Sequence, residues 1–200
     1  RNEMATRGIH GFRVGTFDNG MRQIACATRP IVVPDDLAGL KMRVPDGAVF
    51  TEAFRALGAD PVVINVNQIY DRLKAGTVHA QENPLAVVEL FKLYEVVRYV
   101  SMTNHMWSGF NLMAHLETWE RLPAGLRSVV DRNAAKYVRA QRDDQRVLNA
   151  RLRSGLAARG LVFNDVDEAP FRARLSGVFP KWRERIGSKA WSLLESAMRG

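Results

Sequence analysis

Three side chains that can hold an anion lie in or beside strand-like segments of the sequence: Arg22 in "NGMRQIA", Arg43 in "LKMRVP" and Asn83 in "QENP". An arginine presents a rigid fork of N–H donors that fits a carboxylate in two parallel bonds, and an asparagine adds one donor and one acceptor without charge. Backbone N–H groups at the start of a helix after Asn83 also favour negative charge. The set suits an anion-binding site, and the alternative is that each arginine pairs with a structural acid.

Arg43 lies at the centre of the most informative of these segments. Leu40, Met42 and Val44 alternate as in a buried strand, which places Arg43 on the opposite face. A guanidinium is always charged, and burying it without a partner is very costly. The pattern therefore predicts a negatively charged partner for Arg43.

Other kinds of chemistry find no support in the sequence. The four histidines show no HExxH spacing, and the sequence contains no G-x-S-x-G, G-x-G-x-x-G or Walker lysine motif. The single cysteine, Cys26, excludes an internal disulfide and a cysteine-rich metal site. We therefore predict no catalytic residues, no metal and no cofactor.

Short strand-like and helix-like segments alternate from about residue 11 to residue 115, as expected for an α/β fold with a mostly parallel sheet covered by helices. The predicted strands are 12–17, 22–28, 41–44, 61–66, 78–81, 97–103 and 110–116. Ligands bind at the carboxyl ends of the strands in such sheets. Arg43, residues 65–67 and residues 81–84 all fall at strand ends, so we expect them to converge on one crevice.

The pattern becomes helical beyond residue 116. Residues 122–160 have a helical period over more than 30 residues, which is long enough to span two lobes. A short strand over 161–166 and two amphipathic helices, 170–186 and 189–198, complete the chain. We predict an α/β segment over 1–115, followed by a long helix and terminal helices over 116–200.

The net charge of +8 raises the alternative of a nucleic-acid-binding helical module. Much of the positive charge, however, is spread through the helical pattern of residues 121–159 and mixed with acids. No aromatic interleaving or zinc-ligand spacing accompanies it, so a solvated helix face is the preferred interpretation. No apolar run approaches the roughly 18 residues that span a bilayer.

The order and spacing of several motifs resemble the substrate-binding proteins of TRAP transporters, the tripartite ATP-independent periplasmic importers. The motifs are "GMRQ", "PDDLAGLKMRVP", "LGADPVVINVNQIYDRLKAGTVHAQENPL" and "YEVVRYVSMTNH", and the match covers about residues 11–125. The resemblance implies a periplasmic-binding-protein-like clamshell, two α/β lobes joined by crossing strands and braced by a long helix. Here the chain would supply the second lobe and the bracing helix, with the first lobe largely missing, and we expect it to be a fragment.

The resemblance also implies roles for particular residues. Arg43 corresponds to the principal carboxylate-binding arginine, Arg22 to a second binding arginine and Asn83 to the binding asparagine. Asp46 and Val66 would line the pocket, and Trp107 is a further candidate. The family usually has an aromatic residue where this chain has Val66, which implies a roomier pocket and a substrate that cannot be copied from a relative.

The function implied by the resemblance is that of a periplasmic receptor, not an enzyme. It would capture a small organic acid and deliver it to the membrane components of a TRAP-type permease. We expect a monomer that binds no nucleic acid, does not insert into the membrane, and lacks its export signal in this chain. An enzyme acting on small carboxylates through His79 is the other alternative besides the nucleic-acid module; His79-Ala80 replaces the usual Asp-Gly pair of the family.

Overall fold

The computed structural model describes residues 1–199, so the last residue of the predicted second segment, Gly200, lies outside it. One six-stranded sheet forms the centre of the molecule, with strand order β3-β2-β4-β1-β5-β6. The strands are β1 (Ile9–Cys26), β2 (Lys41–Val44), β3 (Asp60–Val63), β4 (Ala80–Pro84), β5 (Tyr99–His115) and β6 (Val162–Asp165).

Nine α-helices within residues 1–199 connect or follow these strands. They are α1 (Asn2–Ala5), α2 (Ala48–Ala56), α3 (Ile69–Lys74), α4 (Leu85–Leu90), α5 (Leu116–Arg121), α6 (Ala124–Ala157), α7 (Ala169–Arg174), α8 (Phe179–Ile186) and α9 (Ser188–Arg199). Three short 3₁₀ helices lie at Pro34–Leu37, Val66–Gln68 and Leu93–Glu95. None of the helices over residues 1–199 combines the length and the apolar character needed to cross a bilayer.

The sheet is mixed, because one strand runs against the other five. Strands β2, β3 and β4 pair in parallel, as do β5 and β6, whereas β1 is antiparallel to both β4 and β5. The helical crossovers do predict the common direction of β2 to β6. The expectation of a mostly parallel sheet missed that β1 inserts between β4 and β5 with the opposite direction.

Strands β1 and β5 are long, and each joins two segments that the sequence predicted as separate strands. They pair from Ile9 opposite His115 to Cys26 opposite Tyr99, with register shifts along the way. One shift lies beside Gly20, whose φ of +93° is a conformation that favours glycine. Bulges of this kind bend a strand without ending it, so β1 continues through Gly20, between the two segments that the sequence predicted as separate strands.

Apolar side chains cover both faces of the sheet. On one face, Ala25 and Val100 pack with buried residues of α3, α4 and the second half of α6. On the other face, Ile24, Met42 and Val44 pack with residues of α2 and with Phe171 of α7. Each large apolar side chain buried in this way contributes about 1.5–3 kcal/mol to the stability of the fold. The sheet therefore holds the side chains at its edge in fixed positions.

The predicted long helix is α6, whose 34 residues extend over about 50 Å. Its inner face buries Ala134, Val138, Leu152 and Leu156, while most of its arginines are exposed to solvent, as the sequence predicted. The predicted helix over 170–186 is two helices, α7 and α8, because the chain leaves the helix after Arg174 and a new helix begins at Phe179 with Pro180 in its first turn. Strand β6 joins the same sheet as β5, and the division into 1–115 and 116–200 stays a prediction.

Candidate functional site

The carboxyl ends of β2, β3 and β4 lie at one edge of the sheet, and Arg43 lies near the end of β2. Its Nε donates to the carbonyl oxygen of Ile64, directly after β3, over 2.8 Å. Its register partner on β4 is Gln81, which precedes Asn83 on the same strand face. The structure thus brings together the three strand ends that the sequence predicted to converge.

Arg43 is a buried cation without a counter-ion. Only 2% of the residue is exposed, and its Nη1 is buried with no hydrogen-bond partner. No acidic side chain within the described residues forms an ion pair with it. Burial lowers the pKa of Arg43 to about 10, opposed by the charge of Glu82 and assisted by that of Arg22. The guanidinium therefore keeps its charge at neutral pH in a place where the charge is unfavourable.

Arg22 has a different environment, because it pairs with a buried acid. Its Nε and Nη2 donate to the two carboxylate oxygens of Glu82, the second over 2.7 Å. Nη2 also donates to the carbonyl oxygen of Glu82 over 2.8 Å, and the guanidinium lies 5.3 Å from the centre of the Phe50 ring. Pairing with a structural acid is thus what the structure shows for Arg22, and a ligand contact of Arg22 stays a prediction.

Glu82 is fully buried and also contacts a histidine. The Nε2 atom of His105 lies 3.1 Å from a carboxylate oxygen of Glu82, and its Nδ1 lies 2.8 Å from the hydroxyl of Thr103. Burial alone raises the pKa of Glu82, but hydrogen bonds from His105 and Arg22 outweigh it and hold the pKa below its ordinary value. Glu82 is therefore ionised at neutral pH and neutralises Arg22.

Asn83 connects the ion pair to Gln81. Its Oδ1 accepts from Arg22 Nη2 over 3.1 Å, and its Nδ2 donates to Gln81 Oε1 over 2.6 Å. Both ends of the Asn83 amide are thus engaged inside the protein. All three side chains are buried, so the polar cluster at this edge is shielded from bulk water.

The other three predicted pocket residues lie nearer the surface. Asp46 is exposed in the loop after β2, and Val66 lies in the 3₁₀ turn after β3, partly buried against the core. Trp107 is half exposed on β5, where its Nε1 donates to Asp18 over 2.8 Å. None of the three forms a hydrogen bond or an ion pair with Arg43 within the described residues, and their place in a ligand pocket stays a prediction.

His79 does not lie at this edge. It directly precedes β4, at the amino end of the strand, and its Nδ1 accepts from the backbone N–H of Lys41. At about 3.3 Å of rise per residue, its backbone is about 13 Å from that of Asn83. The histidine at the site is His105, which sequence reasoning missed along with Glu82.

Glu82 and His105 carried a signal that was available in the sequence. Glu82 occupies a strand position between Gln81 and Asn83, on the face of its apolar register partner Ile24. Like Arg43, it is a charged residue in a buried strand and therefore needs a partner of opposite charge. Thr103 and His105 are two residues apart on a strand, the spacing that puts two side chains on one face. What the sequence did not show was which distant arginine these groups would meet.

Residues 1–185 match the profile of DctP, the bacterial extracellular solute-binding protein family 7. The chain belongs to this family. Its fold is that of the TRAP periplasmic solute-binding proteins, as the resemblance implied.

Three relatives illustrate the similarity. The C4-dicarboxylate-binding periplasmic protein DctP of Rhodobacter capsulatus is 28% identical over 98% of this chain and 59% of its own length. A TRAP periplasmic solute-binding protein of Roseobacter denitrificans, solved with β-D-glucuronate, is 28% identical with a TM-score of 0.86, over 91% of this chain and 60% of the other. A second from Roseobacter denitrificans, solved with L-galactonate, is 32% identical with a TM-score of 0.78, over 84% and 55%.

The chain therefore spans less than two thirds of the length of these relatives. Family members are solute-binding proteins, and the relatives named above include periplasmic ones. What each relative binds is a property of that relative.

Proposed function

We propose that the protein containing this chain is a periplasmic receptor that captures a small organic acid through Arg43. The observation that carries the proposal is the buried guanidinium of Arg43, which has no counter-ion among the described residues. Arg22 and Glu82 neutralise each other, so the cluster of Arg22, Arg43 and Glu82 carries one uncompensated positive charge. One bound carboxylate balances that charge.

The geometry of Arg43 favours a carboxylate over a simple halide or a neutral ligand. Its Nε is fixed by the carbonyl oxygen of Ile64, which holds the plane of the guanidinium. The terminal nitrogens are then available for two parallel bonds, which is the arrangement that carboxylates accept. Asp46, Val66, Trp107, Arg22 and Asn83 are the further residues that we propose for this pocket.

Membership in the family supports a wider role for the protein. The acid would pass to the membrane components of a TRAP-type transporter, and the receptor would act as a monomer that binds no nucleic acid. The receptor would bind and release the acid without a chemical step, because the members of the family are solute-binding proteins. The histidine at the site, His105, contacts the carboxylate of Glu82. The relatives that bind a C4-dicarboxylate, a glucuronate and a galactonate support a small organic acid as the ligand class.

Native mass spectrometry of the protein containing this chain tests the proposal. The protein is purified without denaturation, and the mass of any bound molecule is measured before and after release. We expect one small carboxylic acid that is released chemically unchanged. A bound molecule without a carboxylate would contradict the proposal, and an acid released in altered form would show an enzyme.

A further inference from the structure

Within the described residues, three buried side-chain atoms have no hydrogen-bond partner: His10 Nε2, Arg43 Nη1 and Gln81 Nε2. Two of them belong to one place, because Arg43 on β2 and Gln81 on β4 are register partners. Residues paired in register project from the same face of a sheet. Buried polar groups nearly always have a hydrogen-bond partner, so two adjacent donors without one need an explanation.

The neighbours of the pair in the sheet offer no side-chain acceptor. Gln81 and Arg43 lie in a row across the sheet whose other members are Val62, Ala25 and Val100. Gln81 is fully buried and Arg43 is 2% exposed. An Nη1 group and an amide NH₂ group are both donors, so they cannot satisfy each other. The missing partner must bring acceptor oxygens.

A chain of hydrogen bonds fixes the direction of the Gln81 amide. A guanidinium has no acceptor, so the atom of Asn83 that faces Arg22 must be its oxygen. The Asn83 NH₂ group therefore faces Gln81, and the atom of Gln81 that receives this bond must be Oε1. The NH₂ end of Gln81 is then left free beside Arg43.

We propose that Gln81 is a further ligand-binding residue, whose Nε2 donates to the same carboxylate that Arg43 holds. Asn83 is then a positioning residue, because it orients Gln81 through the hydrogen bond to Oε1. This inference rests on the proposed function and deepens it by adding a neutral donor to the carboxylate site. The competing explanation is one buried water molecule that accepts from both donors.

Two substitutions of Gln81 separate these explanations in the protein containing this chain. Gln81→Met keeps the length of the side chain and removes the free donor. Gln81→Glu puts a carboxylate beside Arg43 while keeping an acceptor for Asn83. Gln145→Met is the matched control, because Gln145 lies on α6 and its amide bonds only Asn149 of the same helix. The probes are D-glucuronate and L-galactonate, measured by calorimetric titration and by thermal unfolding of the ligand-free protein.

For Gln81→Met we expect a dissociation constant at least about tenfold higher than in the wild type. The melting temperature of the ligand-free protein should change little, because the variant removes an unsatisfied donor but also removes the oxygen that accepts from Asn83. Gln81→Glu should stabilise the ligand-free protein and bind neither probe, since its own carboxylate occupies Arg43. Gln145→Met should bind as the wild type does.

Unchanged affinity in Gln81→Met would indicate that a structural water, and not the ligand, accepts from Gln81, and would overturn the inference. If Arg43→Gln loses binding in the same experiment while Gln81→Met keeps it, the proposed function stands while the role of Gln81 falls. If the wild type binds neither probe and no carboxylic acid is bound to the purified protein, both the proposed function and this inference are overturned. Binding of a probe to Gln81→Glu with wild-type affinity also contradicts the inference.

Discussion

Arg22 and Arg43 are both buried, yet different groups neutralise them. Arg22 has the carboxylate of Glu82, which His105 also contacts, so its charge is balanced inside the chain. Arg43 has one backbone carbonyl and, among residues 1–199, no carboxylate partner. An uncompensated buried charge is tolerated when a ligand supplies the opposite charge, and this difference is why we propose Arg43 as the ligand anchor and Arg22 as part of its support.

The buried pair of Arg22 and Glu82 should dominate the acid stability of the protein. Glu82→Gln leaves the Arg22 guanidinium buried without a carboxylate, which we expect to lower the free energy of unfolding at pH 7 by about 3–5 kcal/mol. Because the folded-state pKa of Glu82 is depressed, its contribution is present above the ordinary value of 4.5 and is lost as pH falls through the lower folded value. Urea unfolding between pH 3 and pH 7 measures both effects.

Glu89→Gln is the control for that experiment. Glu89 pairs with Arg159 near the surface over 3.4 Å, where an ion pair contributes about 1 kcal/mol or less. The stability of Glu82→Gln should also depend less steeply on pH below 4.5 than that of the wild type. If the two variants lose equal, small amounts of stability, the Arg22–Glu82 pair does not have the role described here.

At the scale of elements, side chains of α6 form hydrogen bonds with the backbone of β1 near the register shifts of that strand. The side-chain amide of Gln141 accepts from the backbone N–H of Asp18 over 2.9 Å and donates to its carbonyl over 2.7 Å. Arg142 donates to the carbonyl of Thr16 through two nitrogens. Strand β4 pairs with β1 only over residues 22–26, so α6 takes the place of a strand beside Thr16 and Asp18 and satisfies their backbone groups.

Removing the Gln141 amide should loosen this attachment. Gln141→Leu leaves the N–H and the carbonyl of Asp18 without their partner, and we expect a loss of about 2 kcal/mol of stability. Hydrogen exchange of the Asp18 amide should become faster in this variant. Gln145→Leu is the control, because the hydrogen bond that the Gln145 amide forms is to Asn149 of the same helix. Equal exchange of Asp18 in both variants would show that Gln141 does not fasten the helix.

The elements and the site differ in how far the sequence could predict them. Alternation of apolar residues located β2 and marked Arg43, since a strand has a side-chain period of two residues. The direction of β1 and the meeting of Arg22 with Glu82 depended on pairing between segments about 60 residues apart. Pairing register over such a separation leaves no local pattern. The position of Gln81 beside Arg43 was missed for the same reason, because it appears only when β4 pairs with β2.

At the scale of the whole molecule, the distribution of the positive charge indicates more about function than the net charge of +8 does. Most arginines of α6 are exposed, and some pair with acids, as Arg146 does with Asp143 and Arg153 with Asp165. The charge that matters for the proposal is a single buried one at the edge of the sheet. A solvated basic helix and a buried anchor are therefore separate features of one basic chain.

The most direct measurement of the central claim is calorimetric titration of the protein containing this chain with D-glucuronate and L-galactonate, in the wild type and in Arg43→Gln. Arg55→Gln is the control, because Arg55 is exposed on α2. We predict that the wild type and Arg55→Gln bind a probe equally well. In Arg43→Gln the dissociation constant should rise at least about 30-fold, corresponding to a loss of about 2–5 kcal/mol. Equal affinity in Arg43→Gln and the wild type would contradict the assignment of Arg43 as the carboxylate anchor.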